Sequence, residues 1–344
     1  MTGSDHAAKN SIPQGILAIP PSQVTVAVEG WNADNLESRA LFVRSLQSLR
    51  QQTYPVAQCQ VLVLVDATDV ARQAEWIGDE LPGAKIIGIA SETYYRAKNA
   101  SMSAARGQYL VFADSDVSYA PTWLAAMLSS FRPGVDLVVG QTRFQPGFLS
   151  RTLDLCDWAA ARPQSGFTDW FYGNNLAMRR SLFETLRFRE DMGRSGGGSV
   201  NVARRELMGR GVRFWFCAEA QARHDLAPFF VKRIRIGAYQ IRHRRLAPDA
   251  PWSWVARVPL AGPFLATGGS MVMAWRRAWR MRSTLPAKGF SLPLYLASIA
   301  FVKSVEALGA VLYAWAPSLV SGRYDWFDVP MVQPSGIAHQ TEIR

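Results

Sequence analysis

Gln108-Tyr109-Leu110-Val111-Phe112-Ala113-Asp114-Ser115-Asp116-Val117 is the stretch that decides how this chain is read. Mostly apolar residues bring a strand out of a core, and two carboxylates stand at its carboxyl end. Open α/β sheets bind ligands at that edge. Carboxylates one residue apart, on backbone leaving a strand, can face one hard cation and the phosphates it carries. Oxygen ligands suit Mg²⁺ or Mn²⁺, and Mg²⁺ is commonly held by one or two carboxylates plus substrate phosphates. A solvated turn at a strand end has the same sequence, so the surrounding elements have to decide.

Those elements alternate. Val24-Thr25-Val26-Ala27-Val28 is an uninterrupted β-branched run that reads as a buried strand. Leu41, Phe42, Leu46 and Leu49 fall at helical spacing over Leu41 to Gln52, and Thr53-Tyr54-Pro55 ends that helix. A strand from Gln60 to Val65 runs into Asp66-Ala67-Thr68-Asp69, and Val70 to Glu80 is the next helix. Lys85 to Ile89 is a third strand, Ala97 to Ala105 a helix closed by Gly107, and the strand ending at Asp114 follows. Pro121 to Phe131 is helical, and Leu137-Val138-Val139-Gly140 is another strand. Continuous apolar strands alternating with helices imply an α/β fold with a mostly parallel sheet covered on both faces. No G-x-G-x-x-G follows the first strand, which disfavours the usual dinucleotide fold.

The chain of 344 residues exceeds the usual ceiling for one core, so a large α/β domain with an appended part is expected. Three separated cysteines fit buried thiols in a reducing compartment better than disulfides or a zinc site. Met1 to Pro20 carry no basic-then-apolar signal sequence. The formal charge of +11 is concentrated: residues 226–288 hold 12 basic side chains against Asp249 alone, and the rest of the chain is nearly balanced. Such localisation implies an anionic partner. Val258 to Trp275 is 18 residues without a charge, flanked on both sides by arginine and containing two prolines and three glycines. Basic residues at both ends argue against a simple crossing and for a re-entrant or interfacial hairpin. A second apolar stretch, Gly289 to Gly322, is interrupted by Lys303 and Glu306, which can pair at i, i+3. Apolar runs beside the bases favour anionic lipid, with no nucleic acid as partner; helices packed on the soluble domain are the alternative. The expected division is an extension over 1–22, the α/β domain over 23–225, a basic and apolar membrane-associating region over 226–322, and a tail over 323–344.

Seven short segments, in order, resemble glycosyltransferase family 2, the inverting nucleotide-sugar transferases of GT-A fold, over roughly Val24 to Asp225. Val24-Thr25-Val26-Ala27-Val28-Glu29-Gly30-Trp31-Asn32 resembles the family's opening strand and its Pro-Thr-Tyr-Asn end, with Glu29 in place of proline. Gln51-Gln52-Thr53-Tyr54-Pro55 is similar to its Gln-x-Tyr-Pro, and Asp66-Ala67-Thr68-Asp69 to the Asp-rich turn whose first aspartate contacts the nucleobase. Ala97-Lys98-Asn99 resembles Ala-Arg-Asn, followed by Ala105-Arg106-Gly107-Gln108-Tyr109 and the Asp-x-Asp strand. Gly173-Asn174-Asn175-Leu176-Ala177-Met178-Arg179-Arg180 resembles the acceptor-side Gly-x-Asn-x-Ala-x-Arg-Arg. Ala218 to His224 resembles the closing strand with its metal-binding histidine.

The resemblance implies a nucleotide-sugar donor, a glycan or lipid-linked acceptor, and an Mg²⁺ or Mn²⁺ ion at Asp116 and His224; the basic stretch and the apolar C-terminal segments lead us to expect the cytoplasmic face of a membrane. It implies donor contacts at Glu29, Asn32, Asp66, Lys98 and Asp114, with Asp114 on ribose and sugar hydroxyls, and acceptor contacts at Gly173, Asn174 and Asn175. Each residue has a plainer reading: Asp66 as a turn residue, Lys98 on a solvated helix face, His224 as a satisfied buried histidine. Trp170 can stack on a sugar or pack in the core. Inverting transfer needs a general base to take the acceptor's proton. The family places it in a Glu-Asp pair that falls here on Ser199-Val200, neither of which is a base. Asp191, before a glycine-rich loop, is the substitute the sequence offers. A non-catalytic relative that binds a nucleotide sugar or a partner is the alternative function.

Overall fold

The computed structural model describes residues 19–30, 36–89, 94–157, 164–192, 198–225, 229–248, 252–258, 260–283, 285 and 291–317. Its first half is β1 (Val24–Glu29), α1 (Leu36–Arg50), β2 (Gln60–Asp66), α2 (Val70–Glu80), β3 (Lys85–Ile89), α3 (Tyr94–Ala104) and β4 (Tyr109–Asp114). These strands pair in parallel in the order β3-β2-β1-β4, with Glu29 in register with Asp114 at the carboxyl edge. There follow β5 (Val117–Tyr119), α4 (Trp123–Ser129), β6 (Leu137–Phe144), α5 (Phe148–Asp157), β7 (Gly166–Thr168), β8 (Asn175–Arg179), α6 (Arg180–Phe183), α7 (Gly198–Gly209) and β9 (Phe214–His224), with a 3₁₀ turn at Glu190–Met192.

The expected α/β sheet flanked by helices is present: it is parallel through that first half and mixed beyond it, where β6 and β9 pair in parallel. β8 enters antiparallel between β4 and β6, and β5 and β7 run antiparallel to β9. A strand covered on both faces is a continuous apolar run in either direction, so sequence does not reveal its sense. The mixed half builds the site. Three-residue β5 pairs with the end of β9, setting Val117 opposite His224.

The sheet buries both faces. Val26, Val28, Val63, Val65, Val111 and Ala113 lie under Phe42, Leu46, Ile77, Leu124 and Leu128 of α1, α2 and α4. Ala27, Leu62, Leu64, Leu110 and Phe112 pack beneath Tyr95, Met102, Ala203 and Leu207 of α3 and α7.

Three long helices complete the described chain: α8 (Phe229–Leu246), α9 (Gly262–Arg280) and α10 (Ser291–Trp315). The expected hairpin over 258–275 is instead one regular helix from Gly262 onward. Pro263 fits its first turn, where an N–H has no helical partner. α9 and α10 dock on α5 through Leu155, Ala274, Ala278, Tyr295 and Ile299. α8 and α10 touch backbone to backbone. A Cβ at Gly237 would overlap the Glu306 carbonyl, and one at Gly309 the Ile234 carbonyl.

The expected Lys303–Glu306 pair is made at 2.8 Å and faces inward. Arg233 grips both oxygens of Asp157 (2.8 and 2.7 Å) and reaches Glu306 (3.2 Å), whose other oxygen accepts from Lys303 and Gln240. α10's outward side carries Leu294, Phe301, Leu308 and Trp315, all exposed and seven residues apart. By length and composition, Leu292–Trp315 is apolar enough to cross a membrane.

Candidate functional site

At the carboxyl edge of the sheet, Asp116 and His224 face each other across the β5–β9 ladder, Nε2 to Oδ2 at 3.4 Å. His224 Nδ1 lies 2.7 Å from the Asp225 carbonyl oxygen. A carbonyl only accepts, so that bond places a ring proton on Nδ1 and leaves Nε2 to face Asp116, as a donor in the charged ring and as a metal-ligating lone pair in the neutral one. The backbone locks the pair further, because the Asp225 N–H donates to the Asp116 carbonyl (3.3 Å). Arg44 and Gln145 hold the Asp225 carboxylate.

With the ring neutral, both facing atoms are acceptors, and a cation between them satisfies both. Ligands about 2.1 Å from one octahedral ion stand about 3 Å apart, close to this gap. A backbone-fixed imidazole beside a carboxylate is a donor set that suits Mn²⁺ or Mg²⁺. Among the described residues no group of three or more His, Cys, Asp or Glu side chains is gathered around a common point. An ion here would complete its shell with ligand oxygens, as such ions do on phosphates.

Asp114 is held from below. Its Oδ1 accepts from Lys98 Nζ at 2.9 Å and its Oδ2 from the Tyr94 hydroxyl at 2.8 Å. Both members of the ion pair are buried, and the ammonium also rests over the rings of Tyr94 and Phe112. Burial, with the Asp114 charge, pushes the Tyr94 phenol well above its ordinary range, so it stays a donor. Tyr119 accepts from the Asp114 N–H (2.8 Å) and donates to the Asn174 carbonyl (3.2 Å), tying β4, β5 and the start of β8 together. Gly173 seats against this cluster. A Cβ there would stand 2.8 Å from the Tyr94 hydroxyl and 3.2 Å from Lys98 Cε.

Residues 37–187 match the family model for Glycosyl transferase family 2. This stretch is a glycosyltransferase family 2 domain. No curated protein matches the chain. The fold is similar to that of the mannosyltransferase PcManGT from Pyrobaculum calidifontis, in complex with GDP-Man and Mn²⁺. That likeness has 20% identity and a TM-score of 0.52, covering 89% of this chain and 90% of the other. A looser likeness is to GalNAc-T7 with UDP, GalNAc and Mn²⁺, at 14% identity and TM-score 0.47 over 60% of this chain and 43% of that one. The sheet is thus of GT-A type, and the protein is a glycosyltransferase that carries its family 2 domain over residues 37–187.

Glu29, Asp114, Asp116, Gly173, Asn174 and His224 gather at the carboxyl edge of the sheet, with Glu29 buried beside Asp114. Asn174 keeps its side-chain oxygen buried with no partner among the described residues, the kind of orphan a bound hydroxyl satisfies. Asp66 ends β2 on the same edge. The Thr68 hydroxyl and amide donate to its Oδ1 (2.6 and 2.8 Å) and hold its carboxyl below the usual range. The turn reading of Asp66 is therefore real, and its second oxygen is what remains for a ligand. Asn32 lies outside the described residues.

Four expectations change. Lys98 neither lies on a solvated face nor reaches out to a base or phosphate; it is sealed beneath Asp114. Asn175 is fully buried, accepting from Trp123 Nε1 (2.8 Å) and donating to Thr142 and Ala220, which makes it a strut of the sheet rather than an acceptor contact. Trp170 has the Arg204 guanidinium 4.3 Å over its ring, covering one face of the indole. Asp191 accepts from Arg189 with both oxygens (3.0 and 2.5 Å), a pair that must open before the carboxylate can take a proton. At the family's base position, Ser199 is buried and accepts from the Arg189 N–H (2.6 Å), and Val200 is buried as well. Tyr94, Tyr119 and the Asp225 carbonyl were not singled out from sequence. Tyr94 alone had a signal, one helical turn before Lys98.

Proposed function

We propose that the protein is a metal-dependent, inverting glycosyltransferase that moves a sugar from a nucleotide-sugar donor to a lipid-linked or polysaccharide-precursor acceptor at the cytoplasmic face of a membrane. The observation that carries this is the pair of Asp116 and His224, backbone-locked with Nε2 and Oδ2 turned toward each other at 3.4 Å. A divalent ion held by them supplies Lewis-acid neutralisation of the departing diphosphate. Asp114, fixed by Lys98 and Tyr94, presents an oriented carboxylate edge to donor hydroxyls. Asp66 accepts from a nucleobase N–H, and Asn174 takes an acceptor or sugar hydroxyl.

Membrane placement is supported by the outward stripe of Leu294, Phe301, Leu308 and Trp315. It is supported too by Trp279, exposed among Arg276, Arg280 and Arg282 at the end of α9. Aromatic and aliphatic side chains flanked by arginine suit an anionic headgroup layer, each basic residue contributing about 1 kcal/mol. High salt should leave the protein on membranes and detergent should release it; full recovery in the soluble fraction after lysis would refute the placement.

A second reading, a nucleotide-sugar-binding or partner-binding subunit, rests on the buried Ser199 and Val200 and the paired Asp191. One experiment separates the two: incubation of labelled GDP-mannose and UDP-sugars with Mn²⁺, with Asp116→Ala as control. Metal-dependent release of free sugar supports the transferase. Binding of a nucleotide without release, with every donor, supports the subunit. If Asp191 is the base, Asp191→Asn lowers turnover about 10²–10⁴-fold with donor affinity unchanged.

A further inference from the structure

We infer that Lys232, in the first turn of α8, contacts the donor's diphosphate and neutralises charge on the leaving group from the side opposite β5. The inference rests on the reading of Asp116 and His224 as the donor's metal site.

The Lys232 ammonium lies 5.3 Å from the centre of the Phe144 ring, and that ring lies 5.6 Å from the His224 imidazole. Lysine and histidine therefore flank one aromatic side chain and stand no more than about 11 Å apart. Phe144 is itself in register with His224 at the end of β6, so sheet geometry sets the arrangement rather than a mobile loop. Burial lowers the lysine's pKa, and the charges of Asp157 and then Asp116 act against that fall.

Among the described residues, no carboxylate pairs with Lys232. The acid that most favours its charge, Asp157, already gives both oxygens to Arg233. A half-buried ammonium without a counter-ion is costly, and an arriving anion offsets the cost. Lysine acts on phosphate as a compact point charge. The next residue holds it in place: Arg233 is bound to Asp157 and Glu306, and one turn on α8 is pressed against α10 at Gly237. A charge fixed before the reaction stabilises the leaving group without reorganisation.

The test is calorimetric titration of the full-length protein with GDP and UDP in Mn²⁺, comparing wild type, Lys232→Met and Lys232→Arg, with Mn²⁺ affinity measured without nucleotide. Lys232→Met should weaken the better-bound nucleotide about 10–100-fold, the range of a charge-assisted hydrogen bond. Lys232→Arg should recover most of the loss. Mn²⁺ affinity should stay level or rise, since a neighbouring cation has gone. Wild-type nucleotide affinity in folded Lys232→Met, as expected if the lysine serves an anionic acceptor instead, overturns the inference. So does a fall in Mn²⁺ affinity, which would mean the lysine acts through the metal site. If Lys232→Met fails to fold, Lys232→Gln carries the same comparison. Wild type binding neither nucleotide overturns the donor-site reading and the inference with it.

Discussion

Lys98→Met removes the charge beneath Asp114 while nearly conserving side-chain volume, so packing changes little. In the wild type the lysine is 1% exposed and Asp114 6%, and among the described residues their 2.9 Å bond is the one ion pair that compensates that carboxylate. The variant leaves a buried carboxylate with Tyr94 as its side-chain donor. Breaking a buried pair by removing one partner costs about 3–5 kcal/mol. At about 2–4 °C per kcal/mol for a domain of this size, the melting temperature should fall by roughly 6–20 °C. Asp114→Asn removes the other charge, so the double variant should be more stable than the sum of the two single losses allows, with a coupling of about 1–3 kcal/mol. Urea unfolding of wild type, both single variants and the double variant measures this directly. A loss below about 1 kcal/mol for Lys98→Met, or simple additivity in the cycle, would refute a buried, mutually dependent pair and return Lys98 to the donor.

Three further outcomes are expected. His224→Ala and Asp116→Ala should each lower Mn²⁺-dependent nucleotide affinity by at least about tenfold with the fold intact by circular dichroism, and equal affinity with and without Mn²⁺ in wild type would count against the site. Gly309→Leu drives a side chain into the Ile234 carbonyl; limited proteolysis and thermal unfolding should show α8 and α10 parting and a loss of about 1–3 kcal/mol or more. Burial lowers the His243 pKa to about 4 against the bond to the Met192 carbonyl, with Arg242 and Arg244 adding to the fall. A histidine whose folded pKa lies below its unfolded value takes up a proton more readily unfolded. Stability should therefore drop by roughly 3 kcal/mol as pH falls from about 6.5 to about 4, and His243→Gln should flatten that slope in pH-dependent urea melts.

The linear chain determined what is local or periodic. β1 to β4 and the helices between them were legible because a parallel half-sheet writes itself as apolar runs alternating with helical spacing, though α1 starts a turn earlier than its pattern. Asp114 and Asp116 were legible because they end such a run, and the Lys303–Glu306 pair because i, i+3 neighbours share a helix face. Tertiary structure decided everything that depends on which strand lies beside which. The sense of β8 and the docking of β5 on β9 set His224 opposite Asp116, and no spacing encodes a ladder between distant segments. Burial decided roles that residue type leaves open: Lys98 went under Asp114, Asn175 into the sheet, and Glu306 inward to Arg233. Lys232 read as one base among twelve in a charged stretch, and only the packing of α8 against Phe144 separates it from its neighbours. A charge's function is set by the dielectric and the partners around it, and those exist only once the chain has folded.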